Sequence, residues 1–131
     1  MALLASGCRH HAGASPEADT STVALAEEFE TAVPHWVKKE KLPPDAIPGA
    51  RLFATSGCLN CHTYLGSGGS QLGAPELSAE GAKNKGIAFQ VAHLKCPSCV
   101  NNGSPMPSFA DFGEANLRRL AIFLEASKGP K

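Results

Sequence analysis

Apolar positions recur at helical spacing along much of the chain. The clearest stretch runs from Gly113 to Ser127, where Leu117, Leu120, Ile122, Phe123 and Leu124 form an apolar face and Gly129-Pro130 supplies the stop. Ile87, Ala88, Val91 and Leu94 predict a short helix over 87–94. Pro48 to Ser56 reads as another, with proline in its first turn and Leu52 and Phe53 apolar. Val23, Ala26, Phe29 and Ala32 or Val33 share one face of a helix over 23–33, capped by Ser21 or Thr22 and ended by Pro34. Between these lie segments without a period. Residues 34–48 carry Pro34, Pro43, Pro44 and Pro48 and are expected to form an extended strap holding Trp36. Residues 66–86 and 96–109 are expected loops. No run alternates as a strand would, so the pattern predicts an all-α fold.

Composition narrows the choice. The 131 residues suit one domain plus an extension. The compact domain is expected over 48–131, behind an N-terminal extension over 1–47. Lys+Arg and Asp+Glu number 12 each, so no overall charge argues for nucleic acid or an acidic membrane surface. Lys83, Lys85, Lys95, Arg118 and Arg119 remain a local docking patch or an ordinary solvated face. Glycine (13) and proline (10) are plentiful, which implies loops in need of something to pack on. A covalently held cofactor would supply it. No stretch reaches the ~18 apolar residues of a membrane-spanning helix.

The start of the chain, Met1 to Cys8, is apolar and small. It is similar to the end of a bacterial lipoprotein signal, in which Cys8 would become the lipidated residue, although Ala5 stands where such signals usually carry leucine. An ordinary terminus is the other reading. Residues 9–22, which include His10 and His11, are polar and unpatterned, as a linker behind an anchor would be.

The chemistry concentrates in Cys58-Leu-Asn-Cys61-His62, the haem c attachment pattern. Two thiols three positions apart reach the two vinyl groups on one haem edge, and the next residue turns its imidazole beneath the iron. The second axial ligand is expected to be Met106, held between Pro105 and Pro107. Filling a gap in the core is the alternative use of that side chain. His35 and His93 carry no comparable signal.

These pieces resemble the class I cytochrome c family. The matching segments are Gly49-Ala-Arg-Leu-Phe53, Gly57-Cys-Leu-Asn-Cys-His62, Gly73-Ala-Pro-Glu-Leu77, Gly103-Ser-Pro-Met-Pro-Ser-Phe109 and the helix around Leu117 to Leu124. The resemblance implies short helices wrapped on one haem c, with Gly49 and Phe53 against Leu120 and Phe123 or Leu124. It implies that the Pro75 carbonyl accepts the proton on the far nitrogen of His62, and that Met106 takes the distal position. It also implies one-electron transfer rather than catalysis, in the bacterial periplasm or on the outer face of the cytoplasmic membrane. The expected partners are redox proteins, among them subunits of a respiratory or photosynthetic membrane complex.

Cys96-Pro-Ser-Cys99 lies outside the family pattern, and Val100 follows it where a second haem site would need histidine. A disulfide is the plainest reading in an oxidising compartment. A redox-active dithiol, as in a thiol-disulfide oxidoreductase, would call for a βαβ context that the pattern lacks. A four-cysteine zinc ribbon, acting as an interaction module, would join Cys96 and Cys99 to Cys58 and Cys61. The 34 residues between the pairs exceed the ~15–20 usual for such ribbons.

Overall fold

The computed structural model describes residues 20–131, with side chains from residue 28 on. Cys8 and the expected linker up to residue 19 lie outside the described residues. The rest is mostly helical. Helix α1 spans Thr20–Glu40, α2 Ile47–Thr55, α3 Ile87–Lys95, α4 Pro97–Val100 and α5 Glu114–Ala126. Strands β1 (Thr63–Tyr64) and β2 (Ser67–Gly68) form a small antiparallel hairpin, Thr63 opposite Gly68 and Tyr64 opposite Ser67. The expected helices after residue 47 stand within a residue or so of α2, α3 and α5. The hairpin and the single-turn α4 appear where only loop was expected.

The strap over 34–48 is corrected. Helix α1 runs straight through Pro34 to Glu40. A proline inside a helix removes one backbone bond and crowds the preceding turn, at a cost of about 3 kcal/mol. Here its ring faces solvent, while Phe29, Val33, Trp36 and Glu40 turn inward along one stripe. Trp36 is fully buried. Burying roughly 150–250 Å² of indole at ~25 cal/mol per Å² is worth about 4–6 kcal/mol, which works against the cost of the proline. The helix stops after Glu40. Lys41 adopts a left-handed φ of 52°, and the Leu42 N–H reaches back to the Val37 carbonyl at 3.1 Å. Pro43-Pro44 then block any continuation.

Four aromatic rings from α1, α2, β1 and α5 make the centre of the core. Trp36, Phe53, Tyr64 and Phe123 all meet one another, with ring centroids between 4.9 Å (Trp36–Tyr64) and 6.3 Å (Trp36–Phe123). Close approach of α2 to α5 depends on Gly49. A Cβ there would overlap the Arg119 carbonyl and come within 2.7 Å of the Phe123 Cβ. Helix α3 lies against the other side of α5, where the Gln90 amide donates to Glu125 at 2.9 Å and to Glu80 at 3.3 Å.

The last residues bind back to two parts of the chain, the segment from Ser78 to Gly81 and the end of α1. Gly81 N–H donates to the Ser127 carbonyl at 2.7 Å, Gly129 N–H to Ser78 at 2.9 Å, and Lys131 N–H to Lys39 at 2.8 Å. The Ser127 hydroxyl donates to the Phe123 carbonyl at 2.8 Å, so the Tyr64 hydroxyl, 2.7 Å away, donates to Ser127. Glu40 is enclosed beneath this tail at 1% exposure. Neither carboxylate oxygen has a hydrogen-bond partner among the described residues. Burial raises its pKa above the ordinary 4.5; the nearby N–H groups of Gly129 and Lys128 ease ionisation only in part, and Glu76 opposes it.

Two predictions follow from this packing. Gly49→Ala should cost about 1–3 kcal/mol of stability in a denaturant melt, because backbone on the facing helix cannot yield as a side-chain tip can. Glu40→Gln should stabilise the protein at neutral pH. A carboxyl whose folded pKa is raised loses stability as pH climbs from its unfolded value through its folded one. The gap between variant and parent should therefore be near zero at pH 4, widen as pH rises, and then level off. A constant gap across that range would refute the assignment.

Candidate functional site

Helix α2 delivers the chain to the Cys58 turn. Gly57 takes a left-handed φ of 83°, where side-chain-bearing residues are strained, and the chain tightens into a 3-10 turn over Cys58–Asn60. The N–H groups of Cys61 and His62 both donate to the Cys58 carbonyl, at 3.3 and 2.9 Å. Leu59, at 2% exposure, pins the turn into the core. One turn thus gathers Cys58, Cys61 and His62. Both cysteines are free thiols, Cys58 buried and Cys61 half-buried. Burial pushes the Cys58 thiol up to about 12, so it is not a thiolate at neutral pH.

The loop after the hairpin folds back over this turn. Gly69 N–H donates to Leu59 at 3.0 Å, Gln71 to Cys61 at 2.9 Å and Leu77 to Thr63 at 3.0 Å. These bonds bring the Pro75 carbonyl 2.8 Å from His62 Nδ1. A carbonyl only accepts, so Nδ1 carries a proton, and in the neutral ring the lone pair lies on Nε2. The ring is thereby oriented and left with one nitrogen able to bind a metal.

Glu76 is a site-shaping residue that sequence reasoning missed. Its carboxylate accepts from Leu65 N–H at 3.1 Å, Ser78 N–H at 3.0 Å and the Ser78 hydroxyl at 2.7 Å. It ties the two ends of the loop whose carbonyl holds His62. Its position beside Pro75 was visible, but nothing local marks a loop carboxylate as a staple.

Met106 stands on a different loop, closed at its neck against the end of α3. Phe109 N–H donates to the Leu94 carbonyl at 2.8 Å, and the Ser108 hydroxyl to Lys95 at 2.6 Å. Met106 is half-buried and packs at the edge of the core, as do Leu65, Val91 and Phe109. Cys96 and Cys99 are joined as a disulfide. This leaves Cys58 and Cys61 as a pair of thiols without two more to complete a four-thiolate set. His93 is half-buried on α3, its ring 6.0 Å from Phe89. Burial lowers its pKa, with Lys85 and His62 adding to the effect. His35 is exposed on α1.

Most of the expected basic patch is occupied internally. Lys83 and Lys85 pair with the buried Glu80 at 2.7 and 3.4 Å, and Lys95 pairs with Glu114. Burial disfavours the Glu80 carboxylate, but Lys83, Gln90 and Lys85 together outweigh it and hold its pKa below the usual value.

None of the family models, curated proteins or solved structures compared with this chain matches it.

Glu76→Ala should release the loop without unfolding the domain. Amide exchange at Leu65 and Ser78 should quicken, and stability should fall by roughly 1.5–3 kcal/mol, the range for hydrogen bonds to a charged acceptor. Unchanged exchange at both amides would show that the carboxylate is not the staple.

Proposed function

We propose that this chain is a mono-haem c-type cytochrome of the class I kind, a one-electron carrier. The observation that carries this reading is the bond from His62 Nδ1 to the Pro75 carbonyl, on a turn that also presents two free thiols. That bond orients an imidazole as a metal ligand requires. The half-buried apolar residues Leu65, Val91, Met106 and Phe109 suit the edge of a porphyrin site, and the α2–α5 crossing at Gly49 suits the cytochrome c fold. Cys58 and Cys61 would hold the haem, and His62 and Met106 its iron. When bound, haem supplies a one-electron couple, which thioether ligation poises higher than two imidazoles would.

The protein's own part is to orient and to exclude. The Pro75 carbonyl fixes His62, Glu76 fixes the loop that holds Pro75, and Pro105 and Pro107 limit the backbone around Met106. With His62 and Met106 both holding the iron, no site would remain for a substrate, so the reading is a carrier and not an enzyme. The proposed setting is the bacterial periplasm or the outer face of the cytoplasmic membrane, with Cys8 as lipid anchor and a respiratory or photosynthetic complex as partner. No helix among the described residues is long and apolar enough to cross a membrane. The zinc-ribbon alternative is less well supported, since Cys96 and Cys99 are bonded to each other.

The test is to produce the chain in a host with haem-attachment machinery. Haem should survive denaturing extraction, and the ferric protein should display the weak long-wavelength methionine–iron band. Met106→Ala should abolish that band and admit imidazole or cyanide while leaving the haem covalently bound. A chain that emerges without haem and carries zinc instead would refute the proposal.

A further inference from the structure

We propose that the Cys96–Cys99 disulfide is a thiol-exchange site, at which a protein dithiol opens the loop that carries Met106 and weakens the hold of Met106 on the iron. This rests on the reading of Met106 as an iron ligand.

The loop is built so that the bridge matters. It leaves and returns at one point, the carbonyls of Leu94 and Lys95. Between those points only Pro97 is buried; Ser98 through Gly103 are exposed. The loop has almost no apolar anchor, so its shape depends on short-range bonds. These run in series from the bridge to the methionine. Cys99 N–H donates to Cys96 at 3.1 Å, Asn101 to Pro97 at 2.8 Å, Ser104 to Asn101 at 3.0 Å, and Met106 N–H to the Ser104 hydroxyl at 3.3 Å. The disulfide is the one covalent closure in that series, and it fixes the turn from which the other bonds start.

The bridge is also open to attack. Cys99 is exposed and Cys96 half-buried. The Ser98 hydroxyl lies 3.8 Å from the Cys96 sulfur, where it can hydrogen-bond a departing thiolate. Val100, one of two large apolar side chains that stand well exposed among the described residues, follows Cys99 directly at 42% exposure. An apolar contact beside an accessible sulfur suits a protein reductant better than a small thiol.

The chemistry balances as ordinary exchange. A thiolate of the partner attacks the Cys99 sulfur. A mixed disulfide forms, the Cys96–Cys99 bond breaks, and Cys96 leaves as the thiolate and takes a proton. The partner's second thiol then attacks the mixed disulfide and releases Cys99. Two electrons and two protons pass from the dithiol, which becomes a disulfide; the chain gains two thiols.

The experiment uses the haem-bearing full chain in two measurements. First, the oxidised protein is incubated with a thioredoxin-fold dithiol protein lacking its resolving cysteine. A mixed disulfide should accumulate on Cys99, located by peptide mass. Second, imidazole binding to the ferric iron is compared between the parent and Cys96→Ser/Cys99→Ser, which holds the loop open without any reductant. Affinity should rise on the order of tenfold, within the ceiling that loop-closure entropy sets for so short a cross-link. Absence of the mixed disulfide, or equal imidazole affinity in the two proteins, overturns the inference. Failure of the underlying reading is distinguishable: haem would then be absent, or Met106→Ala would leave imidazole affinity unchanged in the parent background.

Discussion

Trp36, Phe53, Tyr64 and Phe123 come from four different elements and pack as one cluster, and almost every other feature hangs on it. Each ring closes a gap that no single neighbour could close. Trp36 carries α1 past its proline, Phe53 and Phe123 set how closely α2 and α5 approach, and Tyr64 anchors the hairpin. Removing any one ring would leave the other three facing a void too large for side-chain shifts to fill, with a cost of the order of 3–5 kcal/mol. Gly49 is the necessary counterpart, since the cluster forms only if two helices touch backbone to side chain.

Tyr64 links the core to the site. It lies two residues after His62, and its hydroxyl donates to Ser127 while its ring meets the other three. The imidazole therefore rises from a short stretch fixed at one end by the Cys58 turn and at the other by a fully buried ring. The loop that supplies the Pro75 carbonyl needs no core of its own. It borrows rigidity through backbone bonds to Leu59, Cys61 and Thr63 and through the Glu76 carboxylate. The loop bearing Met106 has no such carboxylate, and its neck is held by only two hydrogen bonds.

What the sequence made legible follows from the range of the forces involved. Helices α2, α3 and α5 announce themselves because each buries one face, and the burial writes a 3.6-residue period into the chain. The Cys58–His62 turn is legible because five adjacent residues carry it. Helix α1 was readable too, in the stripe Phe29, Val33, Trp36 and Glu40, but the stripe passes through Pro34. The local rule that proline ends a helix is overridden here by a tertiary force. The hairpin was out of reach, as two residues a side are too few to show alternation. Glu40 and Glu76 were hidden for a different reason. The surroundings of Glu40 come from the far end of the chain, and Glu76 is met by loop amides whose direction depends on the finished fold.

The depth of Cys58 carries a consequence for the order of events during synthesis. The ring cluster cannot close until Phe123 has been made, 65 positions after Cys58. While the chain is still emerging, the Cys58 sulfur is reachable. In the finished fold that sulfur is buried and its proton is held tightly. A bond made to Cys58 from outside is therefore made more readily before the core closes, so the completion of folding acts as the closing of a time window.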